Sequence, residues 1–242
     1  MATTSIEWTD KTWNPITGCT KISEGCKHCY ANVMTNRLHG MKKPKYSNGF
    51  KVTLHSNDLL EPTKWKRRSM VFVCSMSDLF HKDVSFEFID KVFNVIRQTP
   101  QHTYQILTKR AERMNEYFKE RSIPENAWIG VTVENRDTKY RMDYIRDLSA
   151  KVKFISCEPL LEDLGNLNLR GINWIIVGGE SGVQARPMKA EWAINIKNQA
   201  EANNIPFFFK QWGTWGADGI KRNKKANGKI LNGSIIQQMP IK

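Results

Sequence analysis

Apolar residues fall along this chain in two alternating rhythms. Short, nearly continuous runs rich in β-branched and aromatic residues occur at 51–55 (KVTLH), 70–75 (MVFVCS), 103–107 (TYQIL), 128–133 (WIGVTV), 152–156 (VKFIS), 174–177 (WIIV) and 205–209 (IPFFF). Runs of this kind mark strands buried on both faces. Between them, apolar residues return every three or four positions. One stripe is Phe86, Ile89, Phe93 and Ile96, stopping before Pro100; others are Ala111, Met114, Tyr117 and Phe118, then Tyr140, Tyr144, Ile145 and Leu148, then Trp192, Ile196 and Ala200. That spacing predicts amphipathic helices.

Strand and helix therefore alternate, which predicts a parallel sheet with right-handed crossovers. Seven strands, with one more near 13–17, suit an α/β fold of TIM type, a (β/α) barrel, full or partial. An open doubly wound sheet is the alternative. Residues 1–215 are expected to form the barrel. The Gly-, Asn- and Lys-rich stretch 216–242 reads as a basic C-terminal appendage, in which NGKILNGSIIQ predicts a small hairpin.

Composition changes the picture in two ways. Five cysteines are too few and too unevenly placed for a disulfide framework, which favours a reducing, cytoplasmic setting. No apolar window approaches a membrane span, and the first residues lack a signal pattern. There are 37 Lys and Arg against 24 Asp and Glu, a formal +13, which points to a polyanionic partner such as DNA or RNA. Basic clusters stand at Lys42, Lys43 and Lys45, at Lys64, Lys66, Arg67 and Arg68, and at Lys221, Arg222, Lys224 and Lys225. The first two, interleaved with Tyr46, Phe50 and Trp65, are expected to flank the barrel mouth and stack bases.

In a parallel barrel the reacting groups gather where strands end. Those positions read HSND, SMSDLFH, TKR, TVEN, SCEP, GGESG and KQWG. From this placement Ser75, Asp78, Lys109, Arg110, Thr132 and Glu134 are candidates for cofactor contact, and Cys157, Glu158, Glu180 and Lys210, with Trp212, for the substrate side. GGESG can cradle a carboxylate or phosphate through backbone N–H groups, but it lacks both the P-loop Lys and the dinucleotide spacing; a tight turn is the competing reading. Cys74 and Cys157, at the ends of apolar runs, can equally be small buried hydrophobes.

Cys19, Cys26 and Cys29 share one short loop before the predicted helix YANVMTNRL. Three soft thiolates suit zinc or iron-sulfur. With no obvious fourth ligand, a 4Fe-4S cluster with one open iron is the natural occupant. The stretch resembles the cluster loop of the radical S-adenosylmethionine superfamily, although the usual spacing is C-x3-C-x2-C and here it is C-x6-C-x2-C. The resemblance implies that Cys19, Cys26 and Cys29 hold the cluster and that S-adenosylmethionine is the cofactor. His28 takes the place of the usual aromatic residue near the adenine, and a reductant such as flavodoxin or ferredoxin supplies electrons. IEWTDKTWNPITGC, GCKHCYA, VFVCSMSDLFH, QILTKR, WIGVTVEN, FISCEPLL, WIIVGGESG, ARPM and PFFFKQWG further resemble a phage and prophage protein family of unknown function.

Two functions follow as expectations. One is a radical enzyme modifying or repairing a base or nucleotide in nucleic acid. The other is a zinc-stabilised nucleic-acid-binding protein without radical chemistry.

Overall fold

The computed structural model describes residues 4 and 6–240. Seven strands form the main sheet: β1 (Lys11–Trp13), β2 (Met70–Val73), β3 (Thr103–Thr108), β4 (Ala127–Thr132), β5 (Lys153–Cys157), β6 (Trp174–Gly178) and β7 (Phe207–Gln211). They hydrogen-bond in chain order, β1 to β7. The α/β class holds, and the sheet is consistent with the partial form of the barrel; among the described residues no pairing joins β7 to β1.

The chain divides into two compact units. The first comprises Met1–Ile22, Cys29–Gly130 and Leu148–Lys151; the second comprises Ser23–His28, Val131–Asp147 and Val152–Lys242. In the first, β1 pairs parallel with β2 and β2 with β3. Helix α1 (Tyr30–Gly40) follows the cysteine loop, α2 (Phe86–Gln98) joins β2 to β3, and α3 (Ala111–Phe118) follows β3. The Ser85 side chain caps α2 by accepting from the Phe88 N–H at 3.3 Å. Ile89, Phe93 and Ile96 are fully buried, as are Ala111 and Met114, while Tyr117 stacks on Phe93 at 5.5 Å. Both helical stripes thus pack as the periodicity predicts.

The segment 51–55 does not join the main sheet. Only Thr53–Leu54 is extended, antiparallel to Ile16–Thr17. Its alternating Lys, Thr and His leave Leu54 41% exposed, unlike a strand covered on both faces. Lys11–Trp13 supplies the seventh strand instead.

In the second unit β5 pairs parallel with β6, and β6 with β7. Helix α5, numbered after the short α4 (Asp143–Arg146), spans Ala190–Ala202 and buries Ala193, Ile196 and Ala200. The third predicted stripe fails in part: Arg136–Met142 winds as a 3-10 helix ahead of α4, and Tyr140 points outward. Arg141, Met142 and Ile145 take the buried positions, because Arg141 has a buried carboxylate to meet. The C-terminal hairpin forms as Ile230–Leu231 against Ser234–Ile235. Beyond it, 236–238 lies along β7: Phe209 N–H donates to Ile236 O at 2.7 Å and Gln238 N–H to Phe207 O at 3.1 Å.

Candidate functional site

In the first unit the groups that follow β2 and β3 brace one another. Asp78 accepts from Thr108 Oγ1 at 2.7 Å and from the N–H groups of Phe80 and Lys109, both at 3.0 Å. This carboxylate stitches two strand ends together. Ser75 Oγ donates to Asn14 Oδ1 at 3.1 Å, and the Tyr30 hydroxyl donates to the Ser75 carbonyl. Arg110 reaches back to the start of the cysteine loop, with Nη2 2.9 Å from Thr20 Oγ1 and 4.0 Å from Cys19 Sγ.

His81, which sequence reasoning passed over, completes this arrangement. Asp83 N–H donates to its Nδ1 at 3.2 Å, so the proton sits on Nε2 and donates to Thr20 Oγ1 at 2.8 Å. Burial, then the Arg110 charge, pushes the His81 pKa below its ordinary value of 6.5; burial does the same for His102. Both rings are neutral in the fold and gain a proton more readily on unfolding. Stability is therefore full above pH 6.5 and falls as the pH drops from there through the lowered folded values. Each ring contributes a slope of up to about 1.4 kcal/mol per pH unit. Thermal melts between neutral and mildly acidic pH should show this decline, reduced in His81→Asn; a flat profile down to the carboxylate range would refute it.

In the second unit the loop residues Ser23–His28 are held by two acid-arginine pairs. Glu134, fully buried, meets Arg141 Nη1 at 2.6 Å, accepts from the Ser23 hydroxyl and packs directly against Gly25. Glu180 accepts from Arg186 N at 2.8 Å, Nε at 2.9 Å and Nη2 at 2.7 Å; Nη2 also donates to Glu24 O at 2.9 Å. Burial pushes the Glu180 carboxyl up, but the hydrogen bonds from Arg186 outweigh it and hold it below its ordinary value. Glu134 and Glu180, expected to face cofactor and substrate, therefore grip the segment that carries Cys26. His28 Nδ1 is buried with no hydrogen-bond partner, 3.7 Å from Glu180 Oε2.

Glu158 and Lys210 pair at 2.5 Å, both partly exposed, with Ser156 Oγ 3.3 Å from the carboxylate. Thr132 is buried, and its carbonyl accepts from Arg141 at 2.8 Å. Cys157 is fully buried; burial, then the Glu158 and Glu134 charges, pushes its thiol far up, so it stays S–H. Trp212 is buried too, its indole donating to Ile230 O at 2.8 Å.

GGESG is a close crossing of strand ends rather than an anion cradle. A Cβ on Gly179 would stand 1.9 Å from Trp212 O, and one on Gly213, at φ +83°, 2.2 Å from Glu180 O. The missing side chains allow Gly179 N–H to reach Gln211 O and Thr214 N–H to reach Glu180 O, each at 2.9 Å. Besides His81, sequence reading missed Arg141 and Arg186. An Arg inside the apolar stripe at 140–145 was the available signal for Arg141; Arg186, in irregular chain, offered none.

Cys19, Cys26 and Cys29 form no disulfide, Cys26 being buried and the others partly exposed. Among the described residues no three His, Cys, Asp or Glu side chains are gathered as a metal-holding group. The donor chemistry fits a thiophilic metal or cluster: three thiols uncommitted to disulfides, on the loop beyond β1.

The basic residues 64–68 immediately precede β2, and Lys11 at the start of β1 lies 4.5 Å over the Trp65 ring. In parallel strands this is the end opposite Ser75 and Asp78, so that cluster does not flank the strand C-termini. Lys45 does stand there, 2.8 Å from Asn14 O and 2.5 Å from Asp58.

Among the described residues no helix is long and apolar enough to cross a membrane. No curated protein matches the chain. Two solved structures are similar, a spore photoproduct lyase complexed with dinucleoside spore photoproduct (TM-score 0.42) and a cysteine-to-alanine mutant of that lyase with the same ligand (TM-score 0.38). Each is 10% identical over 77% of this chain, and the chain spans 59% of their length. The family model described as "Protein of unknown function (DUF5131)", a description that gives neither activity nor phage origin, matches residues 3–240. With nearly all of its length inside that match, the chain belongs to this family.

Proposed function

We propose that the chain is a radical S-adenosylmethionine enzyme that modifies or repairs a base or nucleotide in nucleic acid. The observation that carries this reading is the set of three cysteines, none in a disulfide, on the loop beyond β1, where a parallel sheet collects its reacting groups. Cys19, Cys26 and Cys29 would hold a 4Fe-4S cluster. When bound, it supplies, with an external reductant such as flavodoxin or ferredoxin, the electron that cleaves S-adenosylmethionine to methionine and a 5'-deoxyadenosyl radical.

The chain's own residues orient and hold. Arg110 brings positive charge to Cys19 and Thr20, while Lys109 places another cation at the end of β3. Ser75 and Asp78 fix the backbone beside them. The Glu134–Arg141 and Glu180–Arg186 pairs keep the Cys26 segment in one conformation. Glu158 and Lys210 offer an ion pair to the substrate side, and Cys157, next to Glu158 in the chain, keeps its thiol hydrogen.

Anaerobic reconstitution with iron and sulfide tests this. About four irons per chain, broad visible absorption and 5'-deoxyadenosine after reduction with dithionite are expected, and Cys19→Ala, Cys26→Ala or Cys29→Ala should each lose the iron. One tight zinc without sulfide would give the zinc-stabilised binding protein instead. A full cluster with no 5'-deoxyadenosine would overturn the radical chemistry.

A further inference from the structure

Helix α1 turns an unusual face outward. Tyr30 is 57% exposed, Val33 67%, Met34 42% and Met41, just past the helix, 56%. With Arg37 they stand at positions i, i+3, i+4, i+7 and i+11, one continuous stripe of a helix, while Ala31 and Thr35 take the buried side. Single exposed apolar residues are ordinary; four large ones in a line mark a surface that meets something.

The charge around the stripe says what. From 25 to 57 the chain contains no Asp or Glu, but it contains Lys27, Arg37, Lys42, Lys43, Lys45 and Lys51. Lys45 is occupied by Asp58, whereas Arg37, Lys42 and Lys43 are exposed beside the stripe. The Tyr30 hydroxyl, tied to the Ser75 carbonyl, fixes the ring at the end of β2, where the candidate site of the first unit begins.

We propose that this face seats a single-stranded polynucleotide, its bases against Tyr30, Val33, Met34 and Met41 and its phosphates on Arg37, Lys42 and Lys43. Cations alone would suit a duplex, whose backbone is its outer surface. Apolar and phenolic side chains reach base faces only where the bases are unpaired. The inference rests on the nucleic-acid partner of the reading above and is independent of the cluster.

Fluorescence anisotropy of the full chain with labelled oligothymidylate tests it, alongside a duplex of equal length and phosphatidylserine vesicles. Val33→Ser, Met34→Ser and Met41→Ser together should weaken single-strand binding about tenfold or more, leaving the salt dependence intact. Arg37→Gln, Lys42→Asn and Lys43→Gln together should shallow the log–log salt slope by about 2. Asn is chosen at Lys42 because the backbone there has φ +54°. Neutralising Lys64, Lys66, Arg67 and Arg68, at the opposite strand ends, should cost less than the α1 cation set.

The side chains are exposed, so melting temperatures should not move, and iron content measured on the same samples separates this question from that of the cluster. Undiminished binding by both α1 variants, equal binding of duplex, greater loss from the 64–68 set, or binding to vesicles without oligonucleotide would each overturn the proposal.

Discussion

Glu134→Ala should destabilise the chain by about 3–5 kcal/mol, the cost of leaving a buried guanidinium without its partner. Arg141 has 2% of its surface exposed and Glu134 none, so water cannot replace the lost carboxylate without the core opening. Arg141 would keep its bond to the Thr132 carbonyl, and Ser23 would lose its carboxylate acceptor. Chemical denaturation of both variants should show Glu134→Leu with Arg141→Met recovering most of the loss, because an apolar pair of similar volume removes both charges together. A single variant within 1 kcal/mol of the parent, on the order of an exposed ion pair, would show that this pair does not hold the fold.

The second large effect is expected at Gly179. An alanine methyl there would overlap the Trp212 carbonyl, a backbone atom that no rotamer change can move. Overpacking of this kind costs at least the upper end of about 1–3 kcal/mol. Because the backbone itself must shift, the bond from Gly179 N–H to Gln211 O should go with it. Gly40→Ala is the matched control: it lies at the end of α1 with open space around it, and should be neutral or stabilising by up to about 1 kcal/mol. Equal melting temperatures for the two alanine variants would contradict the close crossing.

Six of the seven sheet strands were legible because burial on both faces leaves an uninterrupted apolar run, as at 70–73 and 174–177. The exception is instructive. KVTLH has β-branched residues but alternates them with Lys and His, and that alternation, which belongs to a half-exposed strand, was the decisive feature. Lys11–Trp13 was hard to delimit because three residues are too few to establish a period.

At the site, sequence position correctly marked polar strand ends but could not tell which way each group is spent. Asp78, Glu134 and Glu180 look alike as acids after apolar runs. The structure commits Asp78 to backbone N–H groups and the two glutamates to arginines seven and six residues downstream. Such commitments arise from loop paths, which hydrophobic periodicity does not encode. The cysteine spacing was legible as chemistry, since thiol softness depends on residue type alone.

The strip of chain at 236–238 along β7 bears on how the protein keeps to itself. A bare outermost strand offers its amides and carbonyls as a template for a neighbouring molecule, and aromatic strands such as FFF are among those most prone to fibrous growth. Here the Phe209 amide is taken by Ile236 and the Phe207 amide by the Gln238 side chain, while the Phe207 carbonyl receives the Gln238 N–H. The Trp174 indole, donating to Gln238 O at 2.9 Å, pins the strip from the adjoining strand. The end of the basic C-terminal appendage is thus a selvedge, finishing the weave at its phenylalanine edge where another chain would otherwise be stitched on.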